Sequence, residues 1–207
     1  DVGNTNSGIF NRASNITIGG ATTAARNVIS GNDAYGINID ASFGGGANNI
    51  AIGNYIGTNT AGTAALGNTF NGIFMSGNAN RIGGTAAGEG NVISGSGDIG
   101  LRLDGATNTL VQGNLIGTNA AGTAALANLV GVRLKFGANN NTIGGTSAAA
   151  RNIISGNGGA GLIIDGSNTN TVQGNHIGTN SAGALDLGNG SDGIRVLGAA
   201  STNTIGG

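Results

Sequence analysis

Cysteine, proline and tryptophan are absent from this chain of 207 residues, and charged residues make up only 8% of it. Without cysteine there is no disulfide framework and no thiolate metal site, and the redox compartment stays open. The 8 basic and 9 acidic residues leave a net charge of −1, so no field draws the chain to nucleic acid or to an anionic membrane surface. No apolar run approaches the roughly 20 residues of a membrane-crossing helix, and the opening residues carry no signal-peptide pattern. Aromatic residues reach 3%, thin material for sugar-stacking platforms. Glycine and asparagine stand in excess, with 44 and 31 copies.

These two residues are organised by repetition. GNYIGTNTAGTAALGN at 53–68 returns as GNLIGTNAAGTAALAN at 113–128 and GNHIGTNSAGALDLGN at 174–189, steps of 60 and 61 residues. Between them fall RNVISGN at 26–32, GNVISGS at 90–96 and RNIISGN at 151–157, and IGG recurs at 18–20, 82–84, 143–145 and 205–207. A period held over the whole length implies one elongated stack, residues 1–207 as a single repeat domain, each unit burying its apolar face against its neighbours. DVGN at 1–4 matches DLGN at 186–189, so both ends are expected to fall in mid-repeat, in a segment of a longer array.

Each half-repeat starts a strand at a glycine followed by alternating apolar residues: Gly8-Ile9, Gly36-Ile37, Gly72-Ile73, Gly100-Leu101, Gly131-Val132, Gly161-Leu162 and Gly193-Ile194. A second short strand ends at IGG or QGN. A third is NVISGN or NYIGTN, with Ile29, Ile56, Ile93, Ile116, Ile154 and Ile177 at one inward position. The spacing of two and the many Gly and Asn residues exclude helices. Strands recurring in one direction and one register exclude hairpins. The pattern predicts an all-β, right-handed parallel β-helix, or β-solenoid, with three strands per coil, about seven coils and no significant helix.

Asn27, Asn54, Asn91, Asn114, Asn152 and Asn175 precede the third strand and are expected to form a ladder at the bend, donating to one coil and accepting from another. Asn32, Asn59, Asn119, Asn157 and Asn180 are read as a second line, interrupted by Ser96. Half-repeats differ in where they insert a loop: before the third strand, as at 146–151, or after it, as at 60–68. Leu66, Leu126 and Leu187 in the longer loops are expected to fold back over Val28, Tyr55, Val92, Leu115 and Ile153.

The blocks NTIGGTSAAARNIISGNGGAGLIIDG and TVQGNHIGTNSAGALDLGNGSDGIRV resemble the right-handed parallel β-helix repeats of large bacterial secreted or surface proteins, with the architecture of the pectate-lyase-like superfamily. The resemblance spans the chain. It implies that any active site would lie on the outward face of the first strands, where Phe10, Asn38, Phe74, Arg102, Arg133, Ile163 and Arg195 form one row. Arg12, Asp40, Ser76, Asp104, Lys135, Asp165 and Leu197 form the next.

Asp40, Asp104 and Asp165 stand two coils apart, about 10 Å between neighbours, just past the upper separation that inverting glycosidases use. Lys135 falls between two of them, as a salt ladder requires. There is no carboxylate cluster for calcium, no paired Asp-Asp, no Gly-His-Gly and no nucleophile elbow. The single histidine, His176, occupies the slot of Tyr55 and Leu115 and reads as a surface substitution. Thr58, Thr118 and Thr179 recur only at every second coil and turn inward, which fails as an ice-binding array.

The sequence therefore reads as a non-enzymatic structural rod of an extracellular surface, matrix or fibre protein, with no catalytic residue, metal or cofactor. Its expected partners are its own longer chain or further copies, end to end or laterally. The alternative is a polysaccharide-binding or polysaccharide-degrading β-helix whose active loops lie outside 1–207, with Phe10, Phe74, Arg102, Arg133 and Arg195 as its candidate glycan-contact face.

Overall fold

Three parallel sheets wrap one apolar interior in the computed structural model, which describes residues 3–207. The first sheet stacks Ile9–Asn11, Ile37–Ile39, Ile73–Met75, Ile99–Asp104, Val130–Lys135, Leu162–Asp165 and Ile194–Leu197. The second stacks Thr17–Gly19, Ile50–Ile52, Arg81–Gly83, Leu110–Gln112, Thr142–Gly144, Thr171–Gln173 and Thr204–Ile205. The third has six strands, Val28–Ile29, Tyr55–Ile56, Val92–Ile93, Leu115–Ile116, Ile153–Ile154 and His176–Ile177. The chain thus makes six complete coils, and a seventh contributes strands to the first two sheets. Short 3-10 turns at Thr23–Ala25 and Ala148–Ala150 are the only helical pieces among the described residues.

Register follows the repeat. Ile37 lies between Ile9 and Ile73, and Ile116 between Ile93 and Ile154, so like stacks on like along the axis. The inward residues Ile37, Ile39, Ile56, Ile82, Leu103, Ile116 and Leu134 are fully buried. The glycine ahead of the strand Ile37–Ile39 is required by close approach: a Cβ on Gly36 would sit 2.6 Å from Gly72 O and 2.7 Å from Ile56 Cγ2.

The expected asparagine ladder at the entrance to the third sheet is continuous from Asn27 to Asn175. Asn91 donates its main-chain N–H and its Nδ2 to Asn114 Oδ1 at 3.0 and 2.9 Å, and Asn114 does the same to Asn152 at 3.0 and 3.0 Å. The remaining Nδ2 hydrogen reaches back to the coil before, Asn114 to Ile82 O at 2.9 Å and Asn152 to Val111 O at 2.8 Å. One carboxamide per coil therefore satisfies main-chain groups that the bend removes from sheet pairing.

The second line differs from the expectation. Asn59, Asn119 and Asn180 do not stand in it. Each holds its own long loop, with Asn59 Oδ1 accepting from Thr63 N at 2.8 Å and Asn119 Oδ1 from Thr123 N at 2.9 Å. Asn180 Oδ1 accepts from Ala184 N at 3.0 Å. The rungs between Asn32 and Asn157 come from Asn68 and Asn128, and Asn189 follows, because the chain regains the corner only after the loop closes. The signal was the Asn ending LGN, LAN and LGN, which matches the Asn of SGN. Ser96 does interrupt this line: it donates its N–H to Asn128 Oδ1 at 3.0 Å, but its own Oγ is buried without a partner.

A further ladder runs along the bend ahead of the second sheet in two stretches, Asn49 to Asn80 and Thr109 through Asn141 and Asn170 to Asn203, with Asn141 and Asn170 each donating twice to the next rung at 2.9–3.0 Å; between them Asn80 Nδ2 and Thr109 Oγ1 are buried without partners. Beside it each coil carries one left-handed residue: Asn15, Asn48, Ala79, Asn108, Asn140, Thr169 and Thr202, with φ of 53–62°. Asparagine tolerates that conformation better than alanine or threonine does.

Of the long-loop leucines, Leu66 does not fold back over the third sheet as expected but is 54% exposed, whereas Leu126 and Leu187 are half-buried. The loop glycines approach the same row: a Cβ on Gly62 would meet Tyr55 at 2.9 Å, on Gly122 Leu115 at 3.2 Å and on Gly183 His176 at 2.8 Å. Successive long loops also bond directly across two coils, Ala120 N to Gly62 O at 2.9 Å and Ser181 N to Gly122 O at 2.8 Å.

Candidate functional site

The first-sheet face carries eight of the chain's 17 charged residues. Its two outward rows align as the alternation requires, with Phe10 beside Asn38, Phe74 beside Arg102, and Arg133 between Arg102 and Ile163. Along them the cations are paired. Arg12 meets Asp40 at 2.9 Å, Arg102 grips Asp104 through two bonds at 2.6 and 3.0 Å, and Arg133 meets Asp165 at 2.8 Å. Arg195 bonds Asp192 at 2.5 Å. Lys135 stands next to Asp104 in register but lies 3.6 Å from Asp165.

These pairings decide what the carboxylates can do. Ser42, through its hydroxyl and its main-chain N–H, and then Arg12 hold Asp40 below its ordinary value. Arg133 and then Lys135 do the same for Asp165. A general acid needs the opposite shift, so that a proton remains on the carboxyl near neutral pH. Away from this face, Arg81 clamps Glu89 at 2.9 and 3.1 Å and lowers it likewise. Among the described residues no group of three His, Cys, Asp or Glu side chains is placed to hold a metal ion.

Of the candidate glycan-contact residues, the structure brings Phe74 and Arg102 together, the guanidinium 5.7 Å from the ring centre. Arg133 and Arg195 lie further along the same sheet. Phe10 sits at the opposite end, 54% exposed, with Arg12 stacked 4.7 Å from its ring and 4.4 Å from that of Phe43. Three neighbours lie outside the rows that the sequence marks: Tyr35, whose ring packs 5.9 Å from Phe70 and 5.5 Å from Phe74, and the exposed Phe43 and Phe70. They stand beside the strands, at positions that the alternation does not mark; the crowding of aromatics before residue 75 was the available signal.

The third-sheet face carries a recess of about 580 Å³ between the two rows of loops, with Tyr55, Val92 and Leu115 on its floor. Arg26 lies 3.9 Å over the Tyr55 ring and donates to Gly53 O at 3.3 Å. His176 follows Ile153 in this row, half-buried, and its Nδ1 has no partner. Thr58 and Thr118 are fully buried and Thr179 half-buried, turned inward as their spacing suggests. No family model, curated protein or solved structure matches this chain.

Proposed function

We propose that this chain is a non-enzymatic structural rod of an extracellular surface, matrix or fibre protein, of the bacterial kind its blocks resemble. The observation that carries this reading is the continuous ladder from Asn27 to Asn175, in which the same bonds recur at each coil. At about 4.8 Å per coil, seven first-sheet strands extend a rod on the order of 30 Å without altering its cross-section. Ion pairing on the outer face supports the absence of catalysis, since the carboxylates there are occupied by arginine. Ladder donors point from each coil to the next, so a copy stacked head to tail would continue the same bonds. That polarity favours head-to-tail association, an open contact that generates filaments.

Electron microscopy at micromolar concentration tests the reading: filaments of uniform narrow width are expected, or discrete rods if the segment works as a stalk within one chain. Turnover of a glycan that Asp165→Asn abolishes would contradict it.

A second reading is polysaccharide contact. It draws support from Phe10 and Phe74, which present aromatic rings in one outward row two coils apart. A polysaccharide-degrading form of this reading needs active loops from outside the chain.

A further inference from the structure

The outer face of the first sheet changes character along the rod. Six of the seven aromatic residues fall between residues 10 and 74, and beyond that only Phe136 remains. Beyond the Arg12–Asp40 pair, the charged pairs of this face lie from Arg102 onward.

At the aromatic end a recess of about 420 Å³ opens between Phe10 and Tyr35, and Asn6, Ser7, Ala34 and Asn38 complete its walls. This is within the size range of small-ligand pockets, which are largely apolar with a few orienting polar groups. No charged side chain lines it, and the neighbouring Arg12 is neutralised by Asp40 at 2.9 Å. An anionic ligand would therefore find no free cation, and a cationic one no carboxylate. A wholly apolar ligand would leave two carboxamides and a hydroxyl without partners, at the price of their lost hydration. Asn38 already has an Oδ1 that is buried and accepts no bond from the chain, so a small rotation of its carboxamide would offer an acceptor to a bound hydroxyl. Aromatic faces beside neutral donors and acceptors suit a ring with apolar C–H faces and a rim of hydroxyls.

We propose that the Phe10–Tyr35 recess binds an uncharged hexose unit of a glycan. The inference rests on the polysaccharide-contact reading and narrows it. Binding belongs to the aromatic coils rather than to the arginine row, and the ligand is neutral rather than acidic.

The test is an NMR titration of the whole chain with neutral cellotetraose, mannotetraose and β-1,4-galactotetraose, and separately with acidic tetragalacturonate. At least one neutral probe is expected to shift resonances of Ser7, Phe10, Tyr35 and Asn38 with millimolar affinity. Phe10→Ala, which removes an exposed ring and leaves the core intact, should weaken that binding by about tenfold, and Arg133→Ala by less than about twofold. Preferential binding of tetragalacturonate that depends on Arg133 would overturn the recess while keeping polysaccharide contact. Neutral binding insensitive to Phe10→Ala would also overturn the recess. No shift with any probe would remove both.

Discussion

The two asparagine ladders that flank the third sheet differ in a single rung. At its entrance, Asn27 through Asn175 run unbroken over six coils, each carboxamide accepting from one side and donating to the other. At its exit, Ser96 stands where the neighbouring coils have Asn68 and Asn128, and its hydroxyl is buried without a partner. The coil tolerates this because its strands still pair on both sides, Val92–Ile93 lying between Tyr55–Ile56 and Leu115–Ile116. Sheet pairing thus sets the register, while the ladder satisfies corner groups that pairing cannot reach, one rung at a time.

The largest effect is expected where the sheets themselves fail. Ile116→Asp places a carboxylate at a fully buried position between Ile93 and Ile154, and should abolish the cooperative unfolding transition and the β-sheet circular dichroism. Asn114→Ala breaks the intact ladder. It leaves the N–H and Nδ2 of Asn91 and the carbonyl of Ile82 without their partner, and should destabilise by roughly 2–4 kcal/mol in urea unfolding. Ser96→Asn repairs the broken ladder by restoring an acceptor for Asn68, and should raise stability by about 1 kcal/mol.

How far these contrasts were legible in the sequence depends on what kind of signal each residue carries. Ile116 and Asn114 were readable because period and alternation both mark them. Local spacing points to Asn59, Asn119 and Asn180 for the exit ladder because it counts along the chain, whereas the rung is chosen by where the loop returns to the corner. Asn68 and Asn128 sit nine residues further on in the chain and one coil apart from their true partners in space. The ladder through Asn141 and Asn170 is not legible in the sequence because Arg81, Thr142 and Thr171 follow its rungs and blur the motif. On the outer face, the arginine row was legible from alternation. Its pairing with Asp104, Asp165 and Asp192 was not, since sequence spacing does not fix which way a long side chain turns.

Acid separates the neutral ladders from the charged face. Carboxamides do not titrate, so the ladders keep their bonds at low pH. Asp40 and Asp165 are lowered from an ordinary 3.8 and Glu89 from 4.5, so each contributes stability that is complete above its unfolded value. That contribution is lost as pH falls through the lower folded values. Thermal unfolding should therefore change little between pH 7 and pH 5 and weaken modestly below about pH 4. Smaller still is Ala79→Asn, which suits a left-handed position with φ of 56° and should stabilise by about 0.5–1 kcal/mol.

The most direct test of the ladder account is paired urea unfolding of Asn114→Ala and Asn119→Ala. Both remove an asparagine from the same coil, one a buried rung and the other the brace of a loop whose neighbours are exposed. The account predicts a large fall in midpoint for Asn114→Ala and a shift worth less than about 1 kcal/mol for Asn119→Ala. Equal losses from the two would contradict it.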